Sequence, residues 1–170
     1  ITNNTSSSTG GGIIASNANV IIENCIINDN HAPYGGGLGL IGNINKTVEI
    51  RNCSINGNTG YNSAMEISAG LILVLENTII AENIGTHTIY ANQPKTDDIT
   101  ITNCTVYGNS VDNYSIYSYL GESNSLNIIN SIVYNDEATF DVHSASVSYT
   151  LIGTGFSINQ GDGVIIGVDP

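Results

Sequence analysis

A nine-residue pattern that returns every 25 to 28 residues constrains this chain more than anything else in it. Its first copy is Ile22-Glu23-Asn24-Cys25-Ile26-Ile27-Asn28-Asp29-Asn30. Copies follow at 50–58, 75–83, 101–109 and 128–136, with the common form apolar-x-Asn-(Cys/Thr/Ser)-x-aliphatic-x-x-(Asn/Asp). The anchor asparagines Asn24, Asn52, Asn77, Asn103 and Asn130 are separated by 28, 25, 26 and 27 residues. A period of that length marks a solenoid, in which each repeat is one supersecondary unit stacked on the next.

Apolar spacing within the repeat says which solenoid. Before each anchor Asn the aliphatics alternate (Val20/Ile22, Val48/Ile50, Leu73/Leu75, Ile99/Ile101, Leu126/Ile128). After it the alternation restarts one residue out of phase (Cys25/Ile27, Cys53/Ile55, Thr78/Ile80, Cys104/Val106, Ser131/Val133). Period two on both sides of a phase slip is the mark of two strands meeting at a corner. Asn suits such a corner because it tolerates the left-handed conformation. The five anchors, stacked coil over coil, are therefore expected to form a side-chain amide ladder.

A further strand precedes these two in each coil. Alternate residues give the inward column Ile13, Leu38, Met65, Ile89, Ile116, Phe140 and the outward column Ile14, Gly39, Glu66, Tyr90, Tyr117, Asp141. Three short strands per coil, each paired with its counterpart one coil away, describe an all-β parallel β-helix of about six coils. The runs Gly-Gly-Gly-Ile at 10–13 and Gly-Gly-Gly-Leu at 35–38 resemble the Gly-Gly-Ala-Ile-like motif of polymorphic outer-membrane protein repeats. A second motif of that family, Phe-x-x-Asn, survives as aliphatic-x-x-Asn at Ile27 to Asn30, Ile55 to Asn58 and Ile80 to Asn83. The resemblance implies a right-handed β-helix of the pectin-lyase-like kind, found in large secreted and cell-surface proteins.

One domain over 1–170 is expected: 1–9 as the end of a preceding coil, 10–136 as regular coils and 137–170 as an irregular closing coil. Val147-Ser148-Tyr149-Thr150-Leu151-Ile152 reads as two strands joined without an anchor Asn. The chain resembles a fragment truncated within its closing module, since neither end shows a cap.

Charge narrows the partners. Three Lys and Arg stand against fifteen Asp and Glu, a formal charge of −12, so the surface field repels nucleic acid, acidic glycans and anionic lipid. No apolar run is long enough for a membrane helix, and direct membrane insertion is not expected. Cys25, Cys53 and Cys104 share one inward slot that Thr78 and Ser131 fill elsewhere, which asks for a small residue and points to buried free thiols. A disulfide between Cys25 and Cys53 on adjacent coils stays open. No metal-ligand spacing appears, and no cofactor is expected.

Catalysis finds little support. A lyase needs a base and cationic groups to offset a uronate, yet the cations are Lys46, Arg51 and Lys95, with Arg51 placed to pair with Glu23, Glu49 or Glu76. A glycoside hydrolase needs carboxylates roughly 5–10 Å apart; Glu66 and Asp141 stand three coils apart, about 14 Å at the usual strand spacing. Asp97-Asp98 lacks the Gly-His-Gly and Arg-x-Lys motifs of polygalacturonase-like enzymes. His31, His87 and His143 have no recognisable catalytic companions.

Binding is better supported. Tyr90 and Tyr117 are outward neighbours, with Tyr61, Tyr114 and Tyr119 close by, and such a strip flanked by Glu66 and Asp141 suits stacking on sugar rings. Cross-strand packing of the tyrosines is the competing explanation. Ile26, Ser54, Ile79, Thr105 and Ile132 form an outward row on the third strands, suited to a packing partner. The reading is a non-catalytic structural or adhesive module of an extracellular or cell-surface protein. Its partners are glycans or cell-surface components, flanking domains of the same chain, or copies stacked end to end. The alternatives are a carbohydrate-binding or polysaccharide-degrading β-helix with catalytic parts elsewhere, and an end-to-end filament subunit.

Overall fold

The computed structural model describes residues 1–42, 46–68, 70–93, 98–120, 125–134, 140–142, 145–152, 159–160 and 163–166. Every named strand pairs in parallel, in three sheets. Sheet 1 has six strands: Ile13–Ser16, Leu38–Ile41, Thr59–Ser68, Ile84–Gln93, Ser110–Leu120 and Phe140–Val142. Sheet 2 has seven, from Val20–Glu23 to Asn159–Gln160, and sheet 3 seven, from Ile26–Asn28 to Ile165–Ile166. The chain visits the sheets in rotation, which makes it a parallel β-helix. Residues 1–9 join as isolated bridges, Thr2 to Asn28, Thr5 to His31 and Thr9 to Tyr34. Regular coils are somewhat fewer than expected, and the named strands after Tyr134 have two to four described residues.

Period-two aliphatics fill the cylinder. Leu38, Met65, Ile89 and Ile116 from sheet 1, Ile50, Leu75, Ile101 and Ile128 from sheet 2, and Ile27, Ile55, Ile80, Val106 and Val133 from sheet 3 are wholly buried. Each buried Ile or Leu of this kind contributes about 1.5–3 kcal/mol. Aromatics are absent from this described core, because stacked coils leave room for one layer of aliphatics per 4.8 Å step.

The corners are where the sequence pattern acts on the backbone. Asn24, Asn52, Asn77, Asn103 and Asn130 all take a left-handed φ of 49° to 54°. A second left-handed corner follows the three-residue strand of sheet 3, at Asp29, Gly57, Glu82 and Gly108. In the closing coil Tyr149 takes the anchor's place at φ 48°, between strands Ala145–Ser148 and Leu151–Ile152.

The amide ladder lies elsewhere than expected. The row Asn24, Asn52, Asn77, Asn103, Asn130 is exposed, and among the described residues it holds one amide to amide hydrogen bond, Asn130 Nδ2 to Asn103 Oδ1. The left-handed turn points these side chains out of the corner. The continuous ladder runs instead through Asn4, Asn30, Asn58, Asn83 and Asn109, each Nδ2 donating to the next Oδ1 at 2.8–3.0 Å. Asn30, Asn58 and Asn83 are the asparagines of the aliphatic-x-x-Asn motif, and they are fully buried. Each Oδ1 also accepts the backbone N–H one coil back, as Asn83 Oδ1 does from Asn58 N.

The slot after each anchor is shaped by more than size. Cys25, Cys53 and Cys104 Sγ, Thr78 Oγ1 and Ser131 Oγ each donate to the carbonyl two residues earlier, at 2.8–3.2 Å. The position takes a small residue with a donor, which adds a second bond to a carbonyl that, at Arg51, Glu76, Thr102 and Ile129, already accepts the backbone N–H of the anchor Asn one coil back. All three cysteines are free thiols.

Candidate functional site

Two in-register columns on sheet 1 bring the aromatic residues onto one face. The first is Ile14, Gly39, Glu66, Tyr90, Tyr117 and Asp141. The second, three to five residues upstream, is Thr9, Tyr34, Asn62, His87 and Tyr114. An alternating strand would send residues three apart to opposite faces. Register shifts between His87 and Ile89 against one neighbour, and between Gly85 and His87 against the other, mark an extra residue in each neighbouring strand. Alternation also breaks at His87, Thr88 and Ile89, which are buried in succession, and the ring contacts place His87 among the tyrosines.

His87 is the hub. Its ring centroid lies 4.9 Å from Tyr90, 5.3 Å from Tyr117 and 6.2 Å from both Tyr61 and Tyr114. Tyr90 and Tyr117 stack at 5.0 Å with their planes 9° apart, and Tyr34 packs edge-on to Tyr61 at 6.4 Å. Tyr90 and Tyr117 thus use ring face on each other, as cross-strand packing requires. Tyr61 at 58% and Tyr34 at 49% relative exposure present more surface outward.

Beneath the rings runs a polar relay. Asn62 Nδ2 donates to Glu66 Oε2, and Ser68 Oγ donates to Glu66 Oε1 at 3.0 Å. The carboxylate can only accept, so it fixes the Asn62 amide with its Nδ2 toward Glu66 and its Oδ1 toward His87. Asn62 Oδ1 lies 3.2 Å from His87 Nδ1, so Nδ1 must carry the proton. Neutral His87 then keeps a lone pair on Nε2. Burial pushes the imidazole below its ordinary value, which holds it neutral near pH 7. Ser63 Oγ donates to the His87 carbonyl at 3.0 Å and anchors the segment.

The remaining candidates scatter. Arg51 on sheet 2 binds Glu49 at 2.6 Å and Glu76 at 2.9 Å, half-exposed pairs worth at most about 1 kcal/mol each. His31 Nδ1 lies 2.8 Å from Thr59 Oγ1 on the approach to sheet 1. Ile26 and Ile79 on sheet 3 are 59% and 51% exposed, in register through Ser54. Asp141 shares its column with Tyr117, but its side chain lies outside the described residues, as do those of Asp98 and Tyr119. Lys95, Asp97 and His143 also lie outside them. Among the described residues no group of three or more His, Cys, Asp or Glu is placed to hold a metal ion, and no helix is long and apolar enough to cross a membrane.

Sequence reasoning brought together Glu66, Tyr90 and Tyr117 but missed His87 and Asn62. Period-two counting puts them on the wrong face. The signal was the extra residue in 59–68 and in 110–120, which lengthens the interval between ladder asparagine and inward column relative to 84–93.

A family model described as a right handed beta helix region matches residues 1–166. Comparison with curated proteins and with solved structures found no match.

Proposed function

The chain belongs to the right-handed β-helix family, and from that premise we propose that it is a rigid, non-catalytic adhesive module of an extracellular or cell-surface protein, with sheet 1 as its contact face for glycans. One observation carries the reading: most described polar side chains of the interior are bonded from coil to coil, whereas His87 Nε2, beneath the tyrosines, has no hydrogen-bond partner among the described residues. The aromatic face around it offers apolar ring surface beside oriented polar atoms, the composition of a sugar subsite. The buried amide ladder and aliphatic column supply stiffness, so the face is displayed preformed and little ordering entropy is lost on contact.

The test is retention on a panel of immobilised glycans, comparing the native chain with Tyr90→Ala/Tyr117→Ala. Retention of the native chain on some glycans, lost in a variant that still melts cooperatively, is the expected result. Equal retention of both proteins would remove sheet 1 as the contact face. A native chain held by no glycan would leave a purely structural module.

A further inference from the structure

The chemistry of the sheet 1 face is one-sided, and that selects among sugars. Tyr34 and Tyr61 present electron-rich ring surface outward, beside the stacked rings of Tyr90, Tyr114 and Tyr117. Glu66 offers a carboxylate with accepting positions left beyond its bonds to Asn62 and Ser68. His87 is 6% exposed, and with Nδ1 bonded to Asn62 its Nε2 is an acceptor without a hydrogen-bond partner among the described residues. Imidazole geometry turns Nε2 away from the backbone, on the side opposite Nδ1 and so away from Asn62. Every one of these groups attracts a hydrogen-bond donor or a cation.

Among the described residues nothing on the face offsets that character, and Lys95 lies outside them. Sheet 1 strands carry Glu66, Asp112 and Asp141 and no Lys or Arg. Arg51 is held on sheet 2 by Glu49 and Glu76, and Lys46 starts a sheet 2 strand. With a formal charge of −12 over the chain, the field draws cations to the face and repels uronates.

We propose that this face takes an amino sugar with a free ammonium group, with His87 Nε2 accepting one ammonium N–H, Glu66 balancing the charge and the tyrosines contacting the ring. The proposal rests on the glycan-contact reading and adds the charge of the ligand. An ammonium against tyrosine faces is attracted by the ring quadrupole. N-acetylation removes that charge while keeping the ring, so it is the discriminating change.

The experiment is calorimetric titration of the full chain near neutral pH with a glucosamine oligomer, its fully N-acetylated counterpart and a lysine oligomer of equal charge. The expected result is binding of the glucosamine oligomer at least about tenfold tighter than the acetylated one, a difference of about 1.4 kcal/mol. Binding of the lysine oligomer should be weaker. Glu66→Gln and His87→Phe should each reduce the ratio toward one, and Glu66→Gln keeps the shape of the side chain if His87→Phe fails to fold. Equal binding of the two sugars overturns the ammonium inference and leaves the glycan reading standing. Lysine oligomer bound as tightly as glucosamine oligomer overturns it as mere charge attraction. Binding of no sugar overturns both, and an unchanged ratio in both variants overturns the roles of Glu66 and His87.

Discussion

Replacing Asn83 by Ala should be among the most damaging polar substitutions in the chain. Asn83 is fully buried. Its Oδ1 accepts from Asn58 N and Asn58 Nδ2 at 3.0 Å, and its Nδ2 donates to Asn109 Oδ1, Ile55 O and Ala81 O at 2.8–3.0 Å. Two amide hydrogens serve those three acceptors, so about four full hydrogen bonds are lost at about 1 kcal/mol each. The stranded Asn58 donors and Ile55 carbonyl add a desolvation cost, for a total of about 4–6 kcal/mol. Asn77→Ala is the internal control: its side chain is exposed, and the change costs about 1 kcal/mol from the left-handed φ alone. Urea unfolding followed by circular dichroism compares the two, and hydrogen exchange locates the loss at the coils on either side of Asn83. A midpoint for Asn83→Ala no lower than that for Asn77→Ala would refute the ladder as a main source of cohesion between coils.

Gly85→Ala should destabilise by more than about 2 kcal/mol, since an added Cβ would overlap the Gly60 carbonyl oxygen, a backbone atom with little room to move; an unchanged thermal midpoint would contradict it. In the native chain, iodoacetamide should label Cys25 well before Cys53 and Cys104, because burial shields those two thiols and raises them above their ordinary value; equal rates by mass spectrometry would show that the corner slots open. Stability should fall on acidification through about pH 6.5, the unfolded histidine value. The folded imidazole of His87 sits lower, so the unfolded chain binds the extra proton there. His87→Gln should flatten that part of the melting profile, and a profile of the same slope would place the effect on another group.

The sheets, their order and their inward rows were legible because aliphatic alternation is imposed by the pleat and repeats in every coil. Left-handed corners were legible for a similar reason: Asn recurs where few other residues fit. The ladder was misplaced because both asparagine rows have the same period, and period alone does not say which side chain points inward. Burial decides it, through the length of the three-residue strand between Asn24 and Asn30. His87 was missed because a register shift is a relation between neighbouring strands, visible as a one-residue difference in repeat length and not in the local pattern around the histidine. Cys, Thr and Ser in one slot read as small residues, and their shared bond to the carbonyl two residues back needed the backbone to be seen.

The most direct test of the site is the tautomer of His87, read from the side-chain nitrogen resonances of the ¹⁵N-labelled chain near neutral pH. The relay from Glu66 through Asn62 predicts a neutral ring with the proton on Nδ1 and an unprotonated Nε2. Added glucosamine oligomer should shift the Nε2 resonance. A proton on Nε2, or an imidazolium at that pH, would contradict the account, because the face would then present a donor where the amino-sugar reading requires an acceptor.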